Sequence, residues 1–144
     1  MFSIIEERAS DRTTVEDLAR LSLGNRLTDS PAARMRTGTD PVPGLSMIVL
    51  ENDELVGTIR FWPLLIGSGT KAIQLGPMAI HPDHRGRGFA RMLIRYSLDR
   101  AQSLGHRIAV LIGDHALYER YGFVPAQPLG ITVPDIEDRE RLQV

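Results

Sequence analysis

The chain changes its hydrophobic period between residues 76 and 105, and few folds accommodate that change. Gly76-Pro-Met-Ala-Ile80 closes an apolar run of strand type (Ala72–Ile80). From Gly88 to Leu104 the spacing is helical, with Ala90, Leu93, Ile94, Ser97, Ala101 and Leu104 on one small or apolar face. Gly105 follows as the residue that ends such a helix. The next apolar run, Arg107–Ile112, predicts a second strand. A strand, a long helix and another strand imply a crossover connection, with the two strands parallel in one sheet.

The flanking segments complete a mixed α/β sheet. Phe2 to Glu7 suits a strand. Thr13-Thr14-Val15-Glu16 reads as a capping box opening a helix that buries Val15, Leu18, Leu21 and Leu23 before Gly24. Ser30-Pro31 pairs an N-cap with proline at the first helical position, and a short helix is expected there. A Pro- and Gly-rich loop from Gly38 to Gly44 leads into strands over Leu45–Leu50 and Leu55–Leu65, joined by a turn at Asn52-Asp53. Gly57 suggests a bulge, and Pro63 a local loss of pairing. After the crossover come a short helix over Ala116–Tyr121, a strand restart at Phe123-Val124 and a strand over Ile131–Val133. No repeat or linker divides the 144 residues, so one domain over 1–144 is expected.

With no cysteine, thiolate metal sites, disulfides and cysteine nucleophiles are excluded. No apolar run nears the ~20 residues that span a bilayer. Two acids fall where a signal peptide would carry its apolar stretch, and the expectation is a cytoplasmic protein with no membrane partner. The net charge of −1 is an average of unlike regions. Residues 1–59 carry 6 Arg against 10 acids, whereas residues 84–107 carry 6 Arg against Asp99 alone. Arginine presents a planar fork suited to phosphate. No aromatic interleaving or nucleic-acid motif accompanies the cluster, so a nucleic-acid partner is not expected.

The chemistry concentrates where the strand meets the helix. The first amides of a helix lack internal partners and sit at the positive end of its dipole. Gly86 and Gly88 leave that backbone open to a ligand, and Arg85, Arg87 and Arg91 add charge. The arrangement predicts a pyrophosphate site. It is not a P-loop, which needs GxxxxGK[ST]. Nor is it a Rossmann fingerprint, because Arg91 stands where the third glycine would be.

Arg85-Gly-Arg-Gly-Phe-Ala90 resembles the [Q/R]-x-x-G-x-[G/A] acetyl-CoA loop of the GNAT superfamily of N-acetyltransferases. Ala116-Leu-Tyr-Glu-Arg-Tyr-Gly-Phe123 is similar to the family's A-x-Y-x-x-x-G-F block, and Gly113-Asp114 resembles a subgroup of predicted acetyltransferases. The resemblance spans about residues 45–125. It implies a mixed, mostly antiparallel central sheet with a splayed parallel pair and flanking helices. It also implies acetyl-CoA as cosubstrate; no metal is expected, since the sequence carries no ligand set of metal-site spacing. The cofactor-binding residues would be Met78, Ala79 and Ile80 along the strand, then Arg85, Gly86, Arg87, Gly88, Phe89, Ala90 and Arg91 at the helix start. Arg95 and Arg100 are expected in solvent.

The implied reaction is direct attack of a primary amine on the thioester. An amide of Ile80 or Ala79 would polarise its carbonyl, and Tyr118, four residues before Gly122, would be the general acid. Packing on the cofactor is the alternative role for Tyr118. The general base stays open among Glu51, His81, His84, Asp114, His115 and a water chain. His81-Pro-Asp-His84 lacks the spacing of a catalytic metal site. The acceptor would be a small-molecule amine, a protein N-terminus or a lysine. Arg26, Arg34 and Arg36, with Asp29 and Asp40, give the acceptor side no consistent sign, and Phe61, Trp62 and Pro63 are candidates to line it. The alternative function is a non-catalytic acyl-CoA-binding module of the same fold. Residues 135–144 are expected to add a last strand or a homodimer contact.

Overall fold

The structure, a computed structural model, describes residues 1–133 and 141–144. Ten helices and strands are considered below. In chain order they are β1 (Phe2–Glu6), α1 (Arg12–Leu23), α2 (Pro31–Arg36), β2 (Met47–Glu51), β3 (Glu54–Ile66), β4 (Thr70–Ile80), α3 (Phe89–Ser103), β5 (Ala109–Ile112), α4 (His115–Tyr118) and β6 (Leu142–Gln143). The sheet order is β1-β2-β3-β4-β5-β6. Every neighbouring pair is antiparallel except β4 and β5, which the α3 crossover makes parallel.

Alternation along the strands divides the sheet into two faces. Met47 and Val49 of β2, Ile59 and Phe61 of β3, and Ile73 and Leu75 of β4 join Phe89, Leu93 and Ile94 of α3 in the main core. Leu93 and Phe61 are fully buried. Gly57 is glycine because the side chains of Ile80 on β4 and Leu93 on α3 close over it. A Cβ there would lie 2.9 Å from Ile80 Cδ1 and 3.3 Å from Leu93 Cδ1. The opposite face carries α1 and α2. Gln74 of β4 donates through Nε2 to the Ala32 carbonyl at 2.9 Å, tying α2 to the sheet.

Several local expectations are corrected. α1 starts at Arg12, and the capping box forms one turn earlier: Asp11 accepts from the Arg8 backbone N–H at 2.9 Å while the Arg8 guanidinium grips its carboxylate. Asp11 so closes the turn that precedes α1, and its side chain makes no capping bond to α1 itself. α1 buries Val15, Leu18 and Ala19, and Leu21 is exposed. Pro63 keeps its place in the register opposite Ile73, and the pairing slips between Ile59 and Phe61 instead. Arg100 is half-buried, its Nε–H donating to the Gly44 carbonyl at 2.5 Å and so fastening the Gly38–Gly44 loop to α3. Ile131–Val133 is not a strand. Residues 135–140 of the tail lie outside the described residues, but its end forms β6 against β5. Val124 and Val144 exchange backbone hydrogen bonds at 2.9 Å beside it.

Candidate active site

The parallel pair opens the site. β4 and β5 register only at Ile73 with Ala109 and Gln74 with Val110. Beyond that point β4 runs on to Ile80 with an edge that β5 does not cover. His81 donates its N–H to the Val56 carbonyl at 2.8 Å, which fixes the alternation of the β3–β4 ladder. Ala79 therefore turns its amide towards Thr58 of β3, and the amides of Met78 and Ile80 face the open edge. Of the two amides expected to polarise a carbonyl, Ile80 is on the open edge and Ala79 is not. The Ile80 carbonyl already accepts from Arg85 Nε at 3.2 Å.

A groove of about 820 Å³ leaves this edge and reaches the start of α3. Met78, Ala79, Ile80, Arg85, Gly86, Gly88, Phe89, Ala90 and Arg91 all line it, nine of the ten residues expected to bind the cofactor. Gly86 at φ +78° and Gly88 at φ +85° adopt left-handed backbone that other residues resist, and neither would have a Cβ neighbour within 4 Å. The loop thus presents bare backbone at the helix N-terminus. Arg26 and Arg120 add charge to the same groove. Arg120 escaped the sequence reading because it belongs to the block around Tyr118, thirty residues away in the chain.

Arg87 is placed differently. Its guanidinium is forked onto the Glu51 carboxylate, with Nη1 to Oε1 at 2.7 Å and a second bond from Nη2 to Oε2. It also lies 4.7 Å over the Phe89 ring. The groove lining does not include Arg87. The hydrogen bond from Arg87, aided by its charge and that of His84, holds the Glu51 carboxyl below the usual range. Glu51 is committed to that ion pair.

The groove continues into a cleft of about 370 Å³ between the splayed strands, the two sharing Leu23, Arg26 and Met78. Tyr118 lines this cleft opposite Gly76, Pro77 and Met78. Its ring packs edge-on against Phe123 at 6.2 Å. Burial, reinforced by Tyr121 and Asp114, raises its pKa above the usual phenol value, so Tyr118 is protonated at neutral pH.

The other base candidates are engaged elsewhere. Asp114 pairs with Arg141 at 3.3 Å. His115 lies 3.0 Å from Gln143 Oε1 and 3.3 Å from Glu119. His81 accepts the Asp83 N–H through Nδ1, and of the set only His84 lines the groove. Among the described residues, no group of three His, Cys, Asp or Glu could hold a metal ion.

A third pocket, of about 250 Å³, lies beneath α1 and shares Arg36 and Pro77 with the cleft. Trp62 lines it, while Phe61 is in the main core. Glu16 and Thr58 also line it. Neither was singled out, because only the fold brings α1 over β3.

The family profile described as the acetyltransferase (GNAT) family matches residues 12–123. This chain belongs to that family. It is 34% identical over 79 residues to the uncharacterized N-acetyltransferase YhbS of Escherichia coli K12, a match covering 53% of this chain and 47% of the relative. The chain spans about half the length of the curated relatives it matches. Among solved structures it resembles a GNAT family acetyltransferase from Brucella melitensis in complex with acetyl-CoA. That likeness has 29% identity and a TM-score of 0.69, covering 85% of this chain and 82% of the other. The structure of E. coli YhbS in complex with CoA shares the fold, with a TM-score of 0.82 and 23% identity over 99% of this chain and 79% of the other. The mixed, mostly antiparallel sheet with one parallel pair is therefore the fold of this family.

Proposed function

We propose that this chain is an N-acetyltransferase that moves the acetyl group of acetyl-CoA directly to a primary amine. The observation that carries the reading is the continuity of groove and cleft. One path runs from the bare amides of Gly86 and Gly88, past the uncovered edge of β4, to the Tyr118 side chain. Acetyl-CoA bound to the Brucella relative supports the choice of cosubstrate.

Each residue then has a physical task. Loop amides at the α3 N-terminus, with Arg85 and Arg91, receive the pyrophosphate. Backbone groups of Met78 and Ile80 receive the pantetheine arm, and an edge amide, that of Ile80, polarises the thioester carbonyl. The acceptor nitrogen attacks the carbonyl carbon, the C–N bond forms and the C–S bond breaks. The leaving sulfur takes the Tyr118 proton, and the amine proton leaves to solvent. A phenol and a thiol of comparable basicity suit that exchange.

The other reading, an acyl-CoA-binding module without turnover, rests on the engagement of Glu51, Asp114 and His115 in other contacts. Calorimetry with acetyl-CoA and a free-thiol assay over a panel of amines separate the two. Submillimolar binding with thiol release supports the transferase. Binding without release over the whole panel supports the module, and no binding defeats both.

A further inference from the structure

We infer that the acceptor amine carries a carboxylate and that Arg36 receives it; this rests on the transferase reading above. Arg36 stands where the cleft beside Tyr118 meets the pocket beneath α1, lining both. It does not line the groove at the α3 N-terminus, where the phosphate-directed arginines lie.

Its guanidinium is held in place from two sides. Nη2 donates to the Leu27 carbonyl at 2.6 Å, and the group sits 5.9 Å over the Trp62 ring. Trp62 is itself fixed by its Nε1–H donating to the Gly76 carbonyl at 2.6 Å. No carboxylate among the described residues pairs with Arg36. Arg26 is likewise without a carboxylate among the described residues, but it also lines the groove at the α3 N-terminus; the other arginines lining the cleft and the pocket are paired. Arg60 is matched by Glu7 at 2.8 Å, Arg20 by Asp17 at 3.2 Å and Arg141 by Asp114 at 3.3 Å. Burial lowers the Arg36 pKa with no opposing anion.

A half-buried, pre-oriented cation without a counter-ion is costly unless something supplies the anion. A carboxylate matches the free part of the fork. Thr58 adds a second opening. It lines the same pocket, and its buried hydroxyl has no hydrogen-bond partner among the described residues. A pocket of about 250 Å³ suits a compact amino acid.

Trp62 is the only tryptophan in the chain, so intrinsic tryptophan fluorescence reads this site alone. The experiment titrates CoA-loaded protein with glycine, alanine, β-alanine, 4-aminobutyrate and glutamate, and with the matching carboxamides. The same compounds are assayed for thiol release from acetyl-CoA. The acids are expected to give a saturable fluorescence change at concentrations about tenfold lower than the amides, and a kcat/KM about tenfold higher. Arg36→Gln is expected to bring that acid-to-amide ratio near one. Arg34→Gln, an exposed change on the same helix, should leave the ratio as it is.

Equal response to acids and amides, silence to all the acids, or an unchanged ratio in Arg36→Gln overturns the inference. If Arg36→Gln does not fold, the acid and amide comparison on the unaltered protein decides alone. Acid-selective fluorescence without thiol release from any amine keeps the Arg36 site and removes the transferase. Thiol release with equal rates for acids and amides does the reverse.

Discussion

Gly113 and Tyr118 are packed so closely that residue 113 has no room for a side chain. A Cβ there would lie 2.6 Å from Tyr118 Cε2 and 3.2 Å from Cδ2. The end of β5 is thus the seat of the Tyr118 ring. Gly113→Ala is expected to displace the ring from the cleft. A shift of about 1 Å is enough to lower kcat by about a hundredfold. The affinity for acetyl-CoA, measured by calorimetry, should change far less, because the groove at α3 does not include residue 113. Overpacking of this kind also costs about 1–3 kcal/mol, readable in urea melts. An unchanged kcat would show that the ring's position does not matter.

Tyr118→Phe keeps the ring and removes the proton. If Tyr118 is the general acid proposed above, the variant should lose about a hundredfold in kcat with cosubstrate affinity nearly intact. Its raised pKa fixes the sign of the pH dependence. The donor stays protonated through neutral pH and is lost only above the usual phenol value, so kcat of the unaltered protein should fall on that alkaline side. Tyr118→Phe should lack that fall. A variant with full kcat would reduce the residue to a packing role.

The arginines around the loop divide into two kinds. Arg91 is exposed and lines the groove, whereas Arg87 is bound to Glu51. Calorimetry with CoA should therefore show about a tenfold loss for Arg91→Gln and less than about twofold for Arg87→Gln. The gap should narrow as salt is added, since the Arg91 site is open to solvent. Equal losses would mean that the Arg87 side chain reaches phosphate when CoA is bound.

The same division marks what the sequence could reveal. The α3 crossover was legible because Leu93, Ile94, Ser97 and Ala101 repeat at helical spacing and all are buried. The loop was legible because Gly86 and Gly88 leave backbone bare at the start of a helix, and both adopt left-handed φ in the structure. The partner of Arg87 was not, because Glu51 is thirty-six residues away and β2 meets the loop only after folding. Arg36 was named among the charges of the acceptor side but not set apart from them, for a related reason. Its lack of a partner is a property of space, and in the sequence it has Arg34 and Asp29 for neighbours. The capping box formed at Arg8 and Asp11 rather than at Thr13 and Glu16, and its Arg8 guanidinium contact was not a pattern the Thr-x-x-Glu spacing could show.

The Glu51–Arg87 pair makes a last prediction about pH. The hydrogen bond from Arg87 depresses the Glu51 pKa in the folded chain, with further help from the charges of Arg87 and His84. A group with a depressed folded pKa stabilises the fold above its unfolded value, about 4.3 for glutamate, and ceases to do so as pH falls through the folded value. Glu51→Gln removes that contribution. Urea melts of the two proteins should differ at pH 7 and at pH 5, with the variant less stable, and the difference should shrink below about pH 4.3. The Arg8–Asp11 pair, whose carboxyl is also depressed, is present in both proteins and cancels in the comparison. A difference that stays constant down to pH 3 would mean that Glu51 contributes by shape and neutral hydrogen bonding rather than by its charge on Arg87.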